Sequence, residues 1–267
     1  MAKSRKTKFS REEENEIINS MNDFQKEKQS LEKIKSTSQI EIQFKCLSPG
    51  QKELVKTIKE KEVVYVTGLA GTGKTYLSCA MALDLLKKNP GKYDKIVLIK
   101  SVTVLPDEEI GFLKGTMEEK MEPFMYSFMT NFEKLIGKQM LGKLRAEGVI
   151  EVKPIAYLRG SNIDNTIIII DEVQNISKRN MKTILTRLGK DAKMIFLGDH
   201  DQIDMKKPQE SSLNFMFENF RDFSEFGFVE LGEEDEARNP IIPKISRRFK
   251  DLEENEPKPT QQKNNLN

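Results

Sequence analysis

Residues 68–75 constrain the fold of this 267-residue chain more than any other segment. They read Gly-Leu-Ala-Gly-Thr-Gly-Lys-Thr and match the phosphate-binding loop G-x-x-x-x-G-K-[ST] at every fixed position. The glycines are needed because backbone N–H groups must wrap closely around phosphate oxygens, at the point where a strand leads into a helix. The β-branched run Val63–Thr67 and the apolar stripe of Lys74–Lys88 supply that strand and helix. The predicted phosphate-binding residues are Gly68, Gly71, Thr72, Gly73, Lys74 and Thr75.

Short aliphatic runs continue along the chain, and each has the length of one strand. Strands that are apolar at nearly every residue are buried on both faces, which is typical of a parallel sheet between layers of helices. Ser177 is a suitable N-cap for a helix that runs to about Leu188. The sequence therefore predicts a three-layer α/β domain with a mainly parallel central sheet. The further predicted strands are Ile96–Ile99, Val149–Val152, Ile167–Ile170, Met194–Leu197 and Phe226–Leu231.

Two acidic residues, Asp171 and Glu172, end the most aliphatic of these strands. After a phosphate-binding loop, the first acid can hold Mg²⁺ together with the Thr75 hydroxyl, and the second can polarise an attacking water. We predict Thr75 and Asp171 as metal ligands, and Lys74 and Glu172 as catalytic residues. The second acid favours a hydrolase over a protein that only binds the nucleotide.

Polar residues follow two of the strands in a recognisable order. Asp171-Glu-Val-Gln174 and Gly198-Asp-His-Asp-Gln202 resemble the Asp-Glu-x-Gln and Gly-Asp-x-x-Gln boxes of superfamily-one helicases. In those helicases the glutamines and the second aspartate lie at the γ-phosphate, so the resemblance implies that Gln174, Asp199 and Gln202 bind the nucleotide. The alternative is that Asp199 only caps its loop and that Gln202 is solvated.

Gln51, in Leu47-Ser-Pro-Gly-Gln51, precedes the first strand. A glutamine in this position reads the adenine edge in the same helicases, since its amide donates and accepts at once. The resemblance implies that Gln51 selects ATP over GTP. A surface glutamine that opens a helix is the alternative.

Together with less general motifs, these boxes resemble the PhoH family of PhoH-like proteins from about Leu47 to Lys250. The resemblance implies a RecA-like ATPase fold, ATP as the ligand, and a link to RNA. Some relatives carry a PIN-type nuclease domain, for which the segment before Leu47 is too short, so we expect no nuclease activity. Lys100-Ser-Val102 stands where the family has Arg-Pro-Ala, and a lysine lacks the bidentate fork of an arginine. The less general motifs are Gly111-Phe-Leu-Lys-Gly115 with Glu118–Pro123, Tyr157-Leu-Arg-Gly160, Leu185-Thr-Arg-Leu-Gly189 and Arg238-Asn-Pro240.

Composition and charge set further limits. A formal net charge of +2 argues against a strongly basic coat for nucleic acid, although a local basic face remains possible. The longest aliphatic run is far short of a membrane span, the N-terminus lacks the apolar stretch of a signal peptide, and Cys46 and Cys79 have no metal-like spacing. These features predict a cytoplasmic protein without a membrane partner. We divide the chain into a charged, flexible or partly helical arm (1–45), the ATPase domain (46–252) and a disordered tail (253–267).

Several arginines are candidates for the cation that neutralises the transition state. Arg187 lies at the end of the helix after the carboxylate strand, where ring-forming ATPases often place a finger for the neighbouring subunit, and Arg238 follows the last predicted strand. A superfamily-one helicase grips its strand between two RecA-like domains, whereas this core has room for one. We therefore predict a homo-oligomeric ring, with a hexamer favoured, that acts on single-stranded RNA or another nucleic acid. The other candidate arginines are Arg159, Arg247 and Arg248.

Other functions and residue roles stay open at this level. An ATP-gated RNA-binding scaffold would share every motif without turnover, and a small-molecule kinase would share the phosphate loop but usually carries an arginine-rich lid. His200, the one histidine, is interpreted as a solvated loop residue. The methionines and phenylalanines of residues 117–132 predict a helix that packs on the core, with a subunit interface as the alternative.

Overall fold

The computed structural model describes residues 11–101, 122–158, 160, 162–205, 207–236, 239 and 241–255. Its centre is a six-stranded sheet in which every pair of neighbouring strands is parallel. The strands are β1 (Val63–Gly68), β2 (Lys95–Lys100), β3 (Ile150–Val152), β4 (Thr166–Asp171), β5 (Lys193–Gly198) and β6 (Phe226–Leu231). They lie in the order β3-β2-β4-β5-β1-β6, so β5 separates the strand before the phosphate loop from the strand that ends in the two acids.

Helices cover both faces of the sheet. The described helices are α1 (Arg11–Ser38), α2 (Pro49–Glu60), α3 (Lys74–Lys88), α4 (Tyr126–Ala146), α5 (Lys178–Leu185), α6 (Ser212–Asn219) and α7 (Ile241–Asn255). On one face, α2, α3 and α4 pack on side chains such as Val64 and Val66. On the other face, α5 and α6 pack on side chains such as Val63 and Tyr65. The four inner strands β1, β2, β4 and β5 are therefore buried on both faces, and the predicted three-layer α/β fold is confirmed.

The cap of α5 agrees with the prediction, but the end of the helix does not. The Ser177 hydroxyl accepts a hydrogen bond from the Asn180 backbone N–H at 3.3 Å, as expected of an N-cap. The helix ends at Leu185 rather than near Leu188. The backbone of the following residues pairs with the segment that enters β4, through an isolated bridge between Ile163 and Leu188. That pairing requires an extended chain where the periodicity alone predicts helix.

The methionine- and phenylalanine-rich segment packs on the core where the structure describes it. A 3-10 turn at Glu122–Met125, which includes Pro123, leads into α4. Met125, Phe128 and Phe132 are buried in the core, which confirms the interpretation as a packing face. Gly137 has φ 75° and bends α4. The motif at 111–115 and the residues Met117 and Met121 lie outside the described residues.

Two further findings concern α1 and the apolar character of the described helices. α1 is anchored near its C-terminus, where the Ser36 hydroxyl donates to a Glu147 carboxylate oxygen at 2.9 Å and Ile40 is buried in the core. Across the residues that the structure describes, no helix combines the length and the apolar character needed to span a membrane.

Candidate active site

A cleft of about 590 Å³ opens at the carboxyl edge of the sheet. Ligands of open parallel sheets bind at this edge, because loops from several strands converge there. The cleft is lined by the loop after β1, by the ends of β2, β4 and β5, and by one face of α4. Its volume is that of an ordinary small-molecule site.

The phosphate loop consists of closely packed bare backbone. Gly71 has φ 96° and Gly73 has φ 88°, a left-handed conformation that residues with a Cβ rarely adopt. A Cβ on Gly71 would lie 2.0 Å from a Glu236 carboxylate oxygen, and one on Gly73 would lie 3.3 Å from the Gln51 amide nitrogen. Gly73 is also the N-cap of α3, so the loop presents amides at a helix N-terminus, which is an anion site.

The loop lysine is held by its own loop. The Lys74 ammonium donates to the backbone carbonyls of Gly68 and of Leu69, the latter at 2.9 Å. The Thr72 hydroxyl donates to the same Leu69 carbonyl at 2.9 Å. The ammonium therefore lies at the mouth of the loop, where phosphate oxygens can replace the carbonyls as acceptors.

Asp171 ends β4 inside the cleft. Burial raises the pKa of this carboxyl to about 6, and the neighbouring Glu172 charge adds to the rise, while Lys100 opposes it. The Asp171 carboxylate accepts the Glu172 backbone N–H at 3.0 Å. Thr75 lines the same cleft, so a hydroxyl and a carboxylate share it, and these hard oxygen donors fit Mg²⁺. In the described part of the chain, no group of three or more His, Cys, Asp or Glu could hold a metal by itself, so such an ion would also need phosphate oxygens and water.

Glu172 is fixed in place by its backbone and by two neighbours. Its φ is 59°, a left-handed value that is uncommon for any residue with a side chain and that occurs often at functional sites. One carboxylate oxygen accepts the Gln174 side-chain amide at 2.7 Å, and the other lies 3.4 Å from the Lys100 ammonium. Gln174 is fully buried, and its amide oxygen accepts the Asp199 backbone N–H at 3.2 Å. One ion pair and two hydrogen bonds thus join the ends of β2, β4 and β5.

The residues after β5 also reach the cleft. Asp199 is buried, and its burial raises the pKa of the carboxyl. Its carboxylate accepts the Asp201 backbone N–H at 3.0 Å, so it caps its loop as well as lining the cleft. Gln202 is exposed and lines the same cleft. Their contact with a γ-phosphate stays a prediction.

Gln51 lies under the phosphate loop and is only 3% exposed, so its interpretation as a surface residue is wrong. Its amide oxygen accepts the Leu47 backbone N–H at 2.7 Å. Its amide nitrogen donates to the carbonyl of Thr72 at 3.1 Å and to that of Asp235 at 3.4 Å. Gln51 therefore joins the phosphate loop to the chain before α2 and to the segment after β6. Adenine recognition by this amide stays a prediction, and it would require the exchange of one of these partners.

The two predicted finger residues have different outcomes. The Arg187 carbonyl accepts the Ile163 backbone N–H at 2.9 Å, close to the start of β4. Arg187 therefore lies at the amino ends of the strands, opposite the cleft. Arg187 cannot act on the cleft of its own subunit, and its role toward a neighbour stays a prediction. Arg238 lies outside the described residues.

His200 does not line the cleft. Its ring packs edge-on against Phe217 at 5.3 Å, so it is not a fully solvated residue.

One wall of the cleft was not predicted from the sequence. Ser127, Asn131 and Lys134 line it from α4 at helical spacing, on the side away from the buried Phe128 and Phe132. Such a polar stripe on an otherwise apolar helix was the available signal. Two more lysines were also missed as site residues, Lys45 before α2 and Lys100 at the end of β2.

The sequence of the chain is similar to a known protein family. The family model described as PhoH-like protein matches residues 43–250. The chain belongs to the PhoH-like family. This PhoH-like chain is 37% identical over 196 residues to the PhoH-like protein of Bacillus subtilis (strain 168). The aligned residues cover 73% of the chain and 60% of that relative. It is 32% identical over 235 residues to the PhoH-like protein of Synechocystis sp., with coverage of 87% and 70%. It thus spans about three fifths of the length of the Bacillus relative.

Solved structures resemble the PhoH-like chain more distantly. A large terminase from a thermophilic bacteriophage aligns with a TM-score of 0.49 and 9% identity, and covers 76% of this chain and 50% of that one. The Pif1 helicase from Candida albicans aligns with a TM-score of 0.40 and 18% identity, with coverage of 78% and 44%. The family model confirms the predicted family resemblance, and the parallel six-stranded sheet that leads into a phosphate loop agrees with the predicted α/β fold.

Proposed function

We propose that this PhoH-like protein hydrolyses ATP with Mg²⁺ and uses the energy to remodel RNA or another single-stranded nucleic acid, as a ring of identical subunits. The observation that carries hydrolysis is the fixed position of Glu172. Its left-handed backbone and its contacts with Gln174 and Lys100 hold a carboxylate beside the predicted metal ligand Asp171, inside the cleft. A protein that only binds the nucleotide has no need of a restrained second acid there.

Each residue of the cleft then has one task. The backbone amides of the phosphate loop and the Lys74 ammonium bind the β- and γ-phosphates and neutralise their charge. Mg²⁺, when bound, would supply a Lewis acid held by the Thr75 hydroxyl and the Asp171 carboxylate. Glu172 orients water toward the γ-phosphate and accepts its proton. Gln174 connects Glu172 to the backbone of Asp199, so a change at one strand end reaches the next.

Phosphate release, measured with and without single-stranded RNA, tests this proposal. Glu172→Gln should keep ATP bound and lower turnover by about two to four orders of magnitude, because only the proton acceptor is lost. Lys74→Ala should lose both binding and turnover. Glu218→Gln, at an exposed position, is the matched control. ATP binding without phosphate release by the wild-type protein would replace hydrolysis with the scaffold alternative.

Two observations support the nucleic-acid partner and the ring. The boxes at 171–174 and 198–202, which resemble helicase motifs, meet in one hydrogen-bonded network. No arginine is found among the described residues that line the cleft, so the finger would be an arginine outside them, such as Arg238, or come from a neighbour. Mixing Lys74→Ala with Arg187→Ala should restore activity that neither variant has alone. If Arg187→Ala alone keeps wild-type activity, the finger is not Arg187.

A further inference from the structure

The C-terminal helix α7 leaves an apolar stripe in solvent. Ile241, Ile245, Phe249 and Leu252 recur at intervals of four, four and three residues, which places them on one face of the helix. Each of these side chains is between 47 and 63% exposed. Scattered single hydrophobic residues are normal on a protein surface, but a continuous stripe of four large ones marks an interaction site.

The N-terminal helix α1 carries a second stripe of the same kind. Met21, Phe24, Leu31 and Ile34 recur at intervals of three, seven and three residues and are between 40 and 70% exposed. The C-terminal end of α1 packs on the body of the protein, so the stripe belongs to a surface that is anchored rather than to a detached segment.

The two stripes match each other. At about 1.5 Å of rise per residue, the α7 stripe is about 16 Å long and the α1 stripe about 20 Å. Charged side chains beside the stripes can pair, because Asp23 and Glu27 lie beside the α1 stripe and Lys244 and Arg248 lie beside the α7 stripe, while Lys28 and Lys35 make the α1 surface mixed in charge. Both stripes are solvent-exposed in a single subunit, so they do not cover each other within the same chain.

We propose that α7 of one subunit packs against α1 of the next copy of this chain. The inference rests on the proposed ring and assigns the surfaces that build it. Each copy then has one α1 surface and one α7 surface, so the contact is heterologous and leads to a closed ring if the rotation per subunit closes. An α7–α7 dimer would be a different, isologous arrangement.

The proposed contact is connected to the cleft. The Arg247 guanidinium on α7 forms an ion pair with the Glu233 carboxylate, in the short segment after β6. Two residues further along, the carbonyl of Asp235 accepts the Gln51 amide that also holds the phosphate loop. A neighbour that holds α7 therefore restrains the segment that contacts the nucleotide site.

Analytical ultracentrifugation without nucleotide tests the contact with two variants, Phe24→Lys and Phe249→Lys. Each puts a charge in the middle of one stripe, and each alone should be monomeric, with a subunit dissociation constant raised on the order of thirtyfold or more. The mixture should form a one-to-one heterodimer that grows no further, because each variant keeps the surface that the other lacks. A heterodimer also shows that both variants are folded.

Two control variants show whether the loss of assembly comes from a charge inside a stripe. Asn22→Lys adds the same charge to an exposed position on another face of α1, and Phe249→Leu keeps the α7 stripe apolar, so both should assemble like the wild type. The contact is refuted if the wild type is monomeric, if either lysine variant still assembles alone, or if the mixture stays monomeric. Binding of a monomeric wild type to phosphatidylcholine vesicles that contain phosphatidylserine would assign α7 to a membrane surface instead.

Assembly and hydrolysis are measured separately, so their failures can be told apart. A wild-type ring that releases no phosphate would leave the contact intact and refute the proposed hydrolysis. A monomer that hydrolyses ATP would refute the contact and leave the cleft chemistry in place.

Discussion

Replacing Asp171 with asparagine should make the nucleotide-free protein more stable at neutral pH, although it removes a predicted metal ligand. The carboxylate ends β4 in a partly buried position beside the Glu172 carboxylate, and without a cation its charge is costly. Asparagine has nearly the same shape, and its amide oxygen can still accept the Glu172 backbone N–H that Asp171 binds at 3.0 Å. The substitution therefore removes the charge and keeps the hydrogen bond.

The size of the effect follows from the pKa. Burial raises the pKa of Asp171 from 3.8 to about 6, so the folded state binds this proton more tightly than the unfolded state between these values. The unfolding free energy consequently falls as the pH rises through this window, and above pH 6 the full cost is about 3 kcal/mol. Asp171→Asn should gain up to that amount at pH 8, and the gain should disappear below about pH 4.

Urea unfolding of both proteins at a series of pH values measures this difference. Asp222→Asn, which changes an exposed aspartate, should show little difference from the wild type at any pH. Mg²⁺ with ATP should then stabilise the wild type more than Asp171→Asn, since the metal needs the carboxylate. A cost of the Asp171 charge is contradicted if Asp171→Asn is less stable than the wild type at pH 8, or if its advantage is the same at pH 4.

Three further predictions use other contacts of the structure. Gly71→Ala should lower nucleotide affinity at least about tenfold in a binding titration, because φ 96° is strained for alanine. Unchanged affinity would mean that the loop rearranges freely. Gln51→Ala should lower the unfolding free energy by about 1–3 kcal/mol, since it leaves buried partners unsatisfied. It should also weaken the preference for ATP over GTP in competition binding. A variant that stays stable but loses this preference would separate the structural role of Gln51 from adenine recognition. Burial lowers the pKa of Lys193 to about 8, so the unfolding free energy should rise between about pH 8 and 10 as this lysine loses its proton. Lys193→Met should lack that part of the rise, and equal pH slopes in the two proteins would contradict the assignment.

Much of the site was predictable because its parts are local. The positions of Gly71, Gly73 and Lys74 follow from the backbone that a phosphate loop needs, and the structure shows that backbone. The aliphatic runs predicted strands buried on both faces, and the six strands are all present. Asp171 and Glu172 follow one of these strands, so their place at the carboxyl edge was fixed once the sheet was parallel.

The sequence by itself thus determined the phosphate loop, the two acids and the layered fold, since each depends on the backbone geometry or burial of neighbouring residues. Only the tertiary structure decided that Gln51 is buried between Thr72 and Asp235. It also decided that Lys100 pairs with Glu172, and that Arg187 lies at the amino ends of the strands, away from the cleft. These contacts join residues that are distant in the chain. They depend on the order of the strands, with β4 between β2 and β5, and no local periodicity encodes that order.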